Sequence, residues 1–229
     1  MVPRELVEFL MKYDALIFGE FTTKSGRKSP YFVNMGKICS GAGVSQLASY
    51  YAEKIMERKE EGTISGELKC IYGPAYKGIP LAVATSMELA RNYGWDLPFS
   101  FNRKESKDHG EGGDFVGYDI KPGDRILIIE DVITAGTAVR ESLELLNKRG
   151  PVKVEGVLVC LDRMEKGLTH LSATQEIYIE HNIPVFPLVC LQELIHILRN
   201  AEMEGMPLVA RGNRMAMEDY LLKYGASDS

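Results

Sequence analysis

The most informative run of the chain is Ile126-Leu127-Ile128-Ile129-Glu130-Asp131-Val132-Ile133-Thr134-Ala135-Gly136-Thr137-Ala138. Its apolar first part predicts a buried strand, and we expect the acidic pair at the exposed end of that strand because buried carboxylates are costly. The small residues that follow offer hydroxyl and N–H groups to a phosphate. Carboxylates that can bind vicinal hydroxyls next to a phosphate loop indicate a site for a phosphorylated ribose. The alternative is an ordinary turn beside a solvated acidic pair.

Strand and helix signals alternate on both sides of this run. Strands are predicted at 70–72, 97–101, 125–130, 154–161 and within 181–188, and helices at 79–90, 139–148 and 191–198. Continuous β-branched strands between amphipathic helices indicate an α/β fold with a parallel sheet flanked by helices on both faces. Ligands of such sheets bind beyond the carboxyl ends of the strands.

The N-terminal part of the chain has a different pattern. A helix is predicted behind Pro3, two short strands around a Ser-Gly turn in residues 18–34, and a longer helix over residues 44–55. Residues 102–123 form the one long stretch without periodicity, and we expect a loop there.

The composition limits the classes of protein that fit. A chain of 229 residues with 45% hydrophobic residues can form one large α/β domain or two small ones, and we favour one domain over residues 1–229. A net charge of −5 and an isoelectric point near 5.5 disfavour general binding to nucleic acid or to a membrane surface, because both need a basic surface.

The cysteines and the opening residues bear on the compartment. Cys39, Cys70, Cys160 and Cys190 lack a CxxC pair, so free thiols are expected rather than a zinc site or a disulfide scaffold. The opening residues are too charged for a signal sequence, and no apolar run approaches the roughly 20 residues of a membrane span. The expected compartment is the cytoplasm.

Four segments resemble a known family. The run from Glu130 to Ala138 resembles the phosphoribosyl pyrophosphate (PRPP) motif of the type I phosphoribosyltransferases, in which two acidic residues precede a small-residue loop. Residues 102–113 are similar to the mobile catalytic loop of the orotate phosphoribosyltransferases within that family. Residues 73–80 and 23–31 are similar to their pyrophosphate and orotate segments. The order and spacing match from about Phe18 to Arg163.

The resemblance implies a fold and an activity. The fold is the parallel sheet flanked by helices, with a small N-terminal hood of about residues 1–40 over the base. The activity is transfer of the 5-phosphoribosyl group from PRPP to orotate, giving orotidine 5′-monophosphate and pyrophosphate in de novo pyrimidine (UMP) biosynthesis. The resemblance further implies Mg²⁺ held mainly through PRPP rather than by protein ligands, and a homodimer with shared active sites.

The resemblance also implies roles for individual residues. Lys107 and Asp131 are expected to be catalytic. The expected PRPP-binding residues are Lys24, Tyr76, Lys77, Arg103, Lys104, Lys107, His109, Glu130, Asp131, Val132, Ile133, Thr134, Ala135, Gly136, Thr137 and Ala138. The expected orotate-binding residues are Lys24, Phe32, Val33, Thr134 and Arg163. Val33 departs from the aromatic pair that some members have at this place.

Two alternatives stay open. One is a phosphoribosyltransferase for another base, and Arg163 discriminates it because orotate carries a ring carboxylate that a guanidinium can bind. The other is a non-catalytic regulator that senses PRPP and binds nucleic acid. Such a regulator needs a basic face or an added DNA-binding segment, which this acidic chain does not display.

Overall fold

The computed structural model describes residues 3–23, 26–104, 114–167 and 169–226. The chain begins with helix α1 (Pro3–Lys12), followed by strands β1 (Leu16–Thr22) and β2 (Lys28–Val33). These strands pair antiparallel in a two-stranded sheet of their own. The hairpin and helix confirm the predicted small N-terminal region.

The central sheet follows as six strands. They are β3 (Cys70–Tyr72), β4 (Phe99–Asn102), β5 (Phe115–Gly117), β6 (Arg125–Ile133), β7 (Lys153–Asp162) and β8 (Val185–Cys190), in the order β5-β4-β3-β6-β7-β8. Every neighbouring pair is parallel except β4 and β5. The predicted parallel sheet is confirmed, but the expectation of an irregular loop over 102–123 is wrong at β5, which is stabilised by pairing with β4.

Helices cover both faces of this sheet. They are α2 (Gly41–Glu60), α3 (Gly78–Tyr93), α4 (Thr137–Asn147), α5 (Ala173–His181), α6 (Leu191–Met203) and α7 (Arg211–Tyr224). Alternate residues of β6 enter two separate cores: Leu127 and Ile129 pack with α2 and α3, whereas Ile126 and Ile128 pack with α4 and α5. This double burial explains why the strand reads as a continuous apolar run.

The two ends of the chain meet at the hood. Arg4 in α1 donates from Nη1 to Glu204 Oε2, just after α6, at 2.6 Å. The ring of Tyr220 in α7 packs edge-on against that of Tyr31 in β2, with 6.0 Å between the ring centroids. The region beside the sheet's edge therefore contains C-terminal helices as well as the predicted residues 1–40. In the described ranges, the helices are too short or too polar to cross a bilayer.

Candidate active site

The acidic pair lies inside β6 rather than at its exposed end. Glu130 is 8% exposed and Asp131 is 6% exposed, and the strand continues to Ile133. The expected exposure of the pair is therefore wrong. The strand continues because Glu130 pairs with Val159 and Val132 pairs with Leu161 of β7.

Hydrogen bonds to both carboxylates of the pair offset their burial. Lys77 donates from Nζ to Asp131 Oδ2 at 2.6 Å, and the N–H of Val132 donates to Asp131 Oδ1 at 2.8 Å. The N–H of Asp131 donates to Glu130 Oε1 at 3.0 Å. The hydroxyl of Tyr51 in α2 holds the carbonyl oxygen of Glu130 at 2.8 Å. The two side chains are thus fixed at the carboxyl edge of the sheet.

The two carboxylates differ in their partners, and Glu130 has an unusual pKa. Burial raises the pKa of Glu130 to about 7. The hydrogen bond from the N–H of Asp131 opposes this rise, whereas the charge of Asp131 adds to it. Glu130 can therefore change its charge near neutral pH, while Asp131 is held by the ammonium of Lys77.

The predicted phosphate loop leads directly from β6 into α4. Gly136 is the N-cap residue of α4 and has a φ of +72°, a conformation that favours glycine. Because Gly136 has no side chain to cap the helix, the N–H groups of the first turn can bind an anion. Thr134, Ala135, Thr137 and Ala138 are exposed at this point, whereas Ile133 is buried in the core.

Arg140 holds this loop, and the sequence analysis did not identify it. Its Nη1 donates to the carbonyl oxygen of Ala135 at 2.7 Å. Its Nη2 and Nε donate to Glu176 and Glu180 of α5, each at 3.0 Å. The guanidinium thereby fixes the loop against α5. No local motif signals this role, because the two carboxylates lie 36 and 40 residues away.

A second loop, Gly73–Lys77, joins β3 to α3. A Cβ on Gly73 would overlap the carbonyl group of Gly78, so the two ends of the loop approach too closely for a side chain. The loop therefore projects beyond the sheet, where Tyr76 is 71% exposed and Lys77 reaches Asp131.

Asn102 at the end of β4 supports the second loop. Its Oδ1 accepts from the N–H of Ala75 at 2.8 Å and from the hydroxyl of Tyr72 at 3.1 Å. The sequence pattern predicted Asn102 only as part of a loop. Its position directly after a predicted strand was the available signal for a role at the sheet's edge.

The predicted catalytic loop leaves the sheet beside Asn102. The N–H of Arg103 donates to the carbonyl oxygen of Asp114 at 2.7 Å, which joins the two ends of that segment. Lys104 is exposed. Three further predicted residues, Lys24, Lys107 and His109, lie outside the described residues.

Arg163 follows β7 and faces the hood hairpin. It is 6% exposed, and its guanidinium carbon lies 4.3 Å from the centroid of the Tyr31 ring. Its Nη2 donates to Ser29 Oγ at 3.2 Å and its Nε to Glu165 Oε1 at 2.6 Å. The structure therefore brings Arg163 together with the hood and gives it an acidic partner, Glu165, that no local sequence pattern indicated.

Phe32 and Val33, two further predicted base contacts, lie on opposite faces of β2. Phe32 is 45% exposed and stacks on Phe21, with 5.5 Å between the ring centroids. Side chains alternate along a strand, so Phe32 faces away from Tyr31 and from Arg163 beneath it. Val33 faces the same side as Tyr31 and packs against the core. The structure does not bring the Phe32 ring to Arg163.

The donor atoms at this edge fit a magnesium ion that arrives with a phosphate ligand. Within the described ranges, no three His, Cys, Asp or Glu side chains form a cluster able to hold a metal. The adjacent carboxylates of Glu130 and Asp131 remain as oxygen donors. Mg²⁺ is commonly bound by one or two carboxylates together with waters and substrate phosphates, which suits this set.

Comparisons with known proteins agree with this geometry. Residues 44–186 match the family model of the phosphoribosyl transferase domain. The orotate phosphoribosyltransferase of Bifidobacterium adolescentis is 43% identical over 229 residues, covering 98% of each chain. That of Neisseria meningitidis is 48% identical over 198 residues, covering 86% of this chain and 88% of the relative.

A solved structure agrees as well. The crystal structure of orotate phosphoribosyltransferase from Francisella tularensis matches with a TM-score of 0.81 and 37% identity, over 96% of this chain and 99% of that one. Sequence, fold and edge geometry lead to the same assignment. The chain therefore belongs to the phosphoribosyltransferase family and, within it, to the orotate phosphoribosyltransferases.

Proposed function

We propose that the chain transfers the 5-phosphoribosyl group of PRPP to orotate and releases pyrophosphate and orotidine 5′-monophosphate, a step in the synthesis of UMP. The observation that carries this proposal is the pair of buried carboxylates, Glu130 and Asp131, beside the open N-terminus of α4. The full-length relatives named orotate phosphoribosyltransferase support the choice of acceptor.

The reaction separates charge between the ribose and the leaving pyrophosphate. In this proposal, acidic residues lie beside the ribose and cationic residues beside the pyrophosphate. As the bond between ribose C1 and the pyrophosphate oxygen breaks, positive charge develops on the sugar and both bond electrons leave with pyrophosphate. N1 of orotate forms the new bond to C1, and its proton passes to the departing pyrophosphate. Glu130 and Asp131 bind the 2′ and 3′ hydroxyls and stabilise the cationic sugar, while the loop from Thr134 to Ala138, with Val132 and Ile133 leading into it, seats the 5′-phosphate.

The leaving pyrophosphate needs a cationic environment. Tyr76 and Lys77 reach it from the second loop, and Arg103 and Lys104 from the stem of the catalytic segment. The same proposal gives Lys107 and His109 roles at the pyrophosphate, with Lys107 as the catalytic cation, and counts Lys24 among the residues that bind PRPP and orotate. Mg²⁺ bound to PRPP would neutralise part of the pyrophosphate charge.

Lys77 has to change partner during this reaction. It is bonded to Asp131 at 2.6 Å, yet its side chain is 60% exposed and therefore free to move. When the ribose hydroxyls bind Asp131, the ammonium turns to the pyrophosphate. Pyrophosphate at the second loop and the ribose hydroxyls at β6 thus replace the ion pair between Lys77 and Asp131 with two contacts to the ligand.

The base side selects orotate through its ring carboxylate. Arg163 presents a guanidinium to that carboxylate, and a pyrimidine without a ring carboxylate would leave N–H donors of this buried group unpaired. Thr134, exposed at the end of β6, lies on the acceptor side of the ribose in this proposal. Lys24 completes the base site from the hood. Phe32 faces away from Arg163 and Val33 packs against the core, so this proposal assigns neither side chain a contact with the base.

The proposal extends to the assembly and the compartment. We infer one phosphoribosyltransferase domain over residues 1–229, acting as a homodimer whose active sites are shared. A cytoplasmic location is supported by the four free cysteines, because secreted proteins more often carry disulfides.

The test is a substrate-omission assay. Purified protein is mixed with orotate, PRPP and Mg²⁺, and the ultraviolet absorbance of orotate is followed. We expect absorbance to fall only when all three are present, and to recover when pyrophosphate is added in excess. Consumption of PRPP with another base, but not with orotate, would support the alternative acceptor and contradict the proposal.

A further inference from the structure

Glu165 lies at the centre of the base side, although it was not among the predicted site residues. Its side chain is 11% exposed. Oε1 accepts from Arg163 Nε at 2.6 Å and from the Tyr220 hydroxyl at 2.9 Å. Oε2 accepts from Arg27 Nη1 at 3.1 Å. One carboxylate thus connects the end of β7, the hood hairpin and the C-terminal helix α7.

These contacts fix the orientation of the Arg163 guanidinium. Glu165 holds the Nε edge, Ser29 and Tyr220 approach Nη2 at 3.2 and 3.5 Å, and the Tyr31 ring supports one face. Among the described residues, Nη1 has no hydrogen-bond partner. A guanidinium held in this way keeps one nitrogen for an outside acceptor without having to reorganise.

Two guanidinium groups share one carboxylate in this cluster. Arg27 and Arg163 both bond to Glu165, at 3.1 and 2.6 Å. The N–H donors of Arg163 that Glu165 does not occupy can bind a carboxylate ligand. Removal of Glu165 would leave two guanidinium groups close together, and their repulsion would displace Arg163.

We propose that Glu165 is a positioning residue for the base: it orients Arg163 toward the ring carboxylate of orotate and couples α7 to that site through Tyr220. This inference rests on the proposed function, because it requires Arg163 to bind orotate. It assigns Glu165 no contact with the substrate.

The test compares Glu165→Gln with a matched control. The amide keeps the size and one acceptor oxygen but removes the charge. We expect the KM for orotate to rise roughly tenfold, the effect of weakening a charged hydrogen bond, while kcat and the KM for PRPP stay within about twofold. The control is Glu202→Gln, whose carboxylate accepts from Arg214 Nε at 2.7 Å and lies 3.4 Å from Arg211 Nε, outside the site. The kinetics of the control should not change.

A double-mutant cycle separates positioning from general packing. In an Arg163→Ala background, Glu165→Gln should have no further effect on the KM for orotate, because Glu165 acts through Arg163. The inference would be overturned if the two substitutions raised the KM for orotate by independent factors that multiply in the double variant. It would also be overturned if Glu165→Gln raised the KM for orotate and the KM for PRPP equally. If Glu165→Gln does not fold, Tyr220→Phe removes one partner of the same carboxylate and should raise the KM for orotate by a smaller factor; an unchanged KM would overturn the inference.

The same cycle distinguishes this inference from the proposed function. An Arg163→Ala enzyme with a normal KM for orotate would refute the role of Arg163 and the inference together. A large rise in Arg163→Ala with no change in Glu165→Gln would refute only the positioning role of Glu165.

Discussion

The donor side and the base side of the site are built in different ways. The donor side, Glu130–Ala138 with Gly73–Lys77, consists of two strand ends and the loops that follow them. The base side is assembled from Ser29 and Tyr31 of the hood, Arg163 and Glu165 after β7, and Tyr220 of α7. Under the proposed function, the chemistry at the ribose therefore depends on one edge of the sheet, whereas recognition of the base depends on segments distant in sequence.

The largest expected effect comes from Asp131→Asn on the donor side. Loss of this charge removes stabilisation of the cationic ribose, and we expect kcat/KM for PRPP to fall by about 10²- to 10³-fold. Asp131 acts on the ribose and not on the base, so the fall in kcat/KM should be the same whichever base accepts the phosphoribosyl group. The measurement is steady-state kinetics with varied PRPP.

Asp124→Asn is the matched control for this variant. Asp124 is buried just before the amino end of β6, where its Oδ2 accepts from the N–H of Lys121 at 2.8 Å. It should lose stability but keep kcat/KM for PRPP. Near-normal turnover in Asp131→Asn would contradict the proposal that Asp131 stabilises the cationic ribose.

A smaller effect is expected from Gly136→Ala in the phosphate loop. The added Cβ would lie 3.0 Å from Arg140 Nη1 and 3.1 Å from Ile177 Cδ1, at a positive φ that disfavours side chains. We expect the loop to shift and the KM for PRPP to rise about tenfold, the equivalent of about 1.4 kcal/mol.

Gly123→Ala is the control that separates the effect of backbone strain from that of a shifted phosphate loop. Gly123 has a φ of +89°, and a Cβ there meets open space. Both variants should lower the melting temperature, but only Gly136→Ala should change the KM for PRPP. Equal KM values for the two variants would contradict a phosphate site at the start of α4.

The smallest effect is a pH dependence from Glu130. Burial raises the pKa of Glu130 to about 7, so its carboxyl group is neutral below that pH and negative above it. We expect kcat/KM for PRPP to rise severalfold as the pH increases from 6 to 8, because the charged form better stabilises the ribose cation. Glu130→Gln should flatten this part of the profile, and an unchanged profile would contradict the assignment.

The same pKa predicts the direction of a stability change. A carboxyl group whose pKa is higher in the folded state binds its proton more tightly there than in the unfolded chain. Its contribution to the free energy of unfolding is therefore largest at low pH and declines as the pH rises from about 4.5 to about 7. Denaturant unfolding of the native protein and of Glu130→Gln across this window measures the difference.

The sequence predicted the elements of the donor side well because they are contiguous in the chain. The apolar strand, the acidic pair and the small-residue loop occupy one short run, and a parallel sheet brings strand ends to one edge. The burial of Glu130 and Asp131 was not predictable, since it depends on the pairing of β6 with β7 and on Lys77 from another loop.

The contacts around Arg163 were predicted only in part, for the same physical reason. The place of Arg163 after a strand could be read from the sequence, but Glu165 contacts Arg27 and Tyr220, which lie 138 and 55 residues away. Helix α5 was also missed. It buries only Ala173 and Ile177, so it leaves a weak helical pattern in the sequence.

A crystal structure with orotidine 5′-monophosphate bound tests both sides of the site at once, because this one ligand spans them. The account predicts the 5′-phosphate at Thr134–Ala138, the ribose hydroxyls within hydrogen-bonding distance of Asp131, and the base carboxylate against Arg163, with Lys77 released from Asp131. A ligand seated elsewhere, or one whose ribose lies away from the acidic pair, would contradict it.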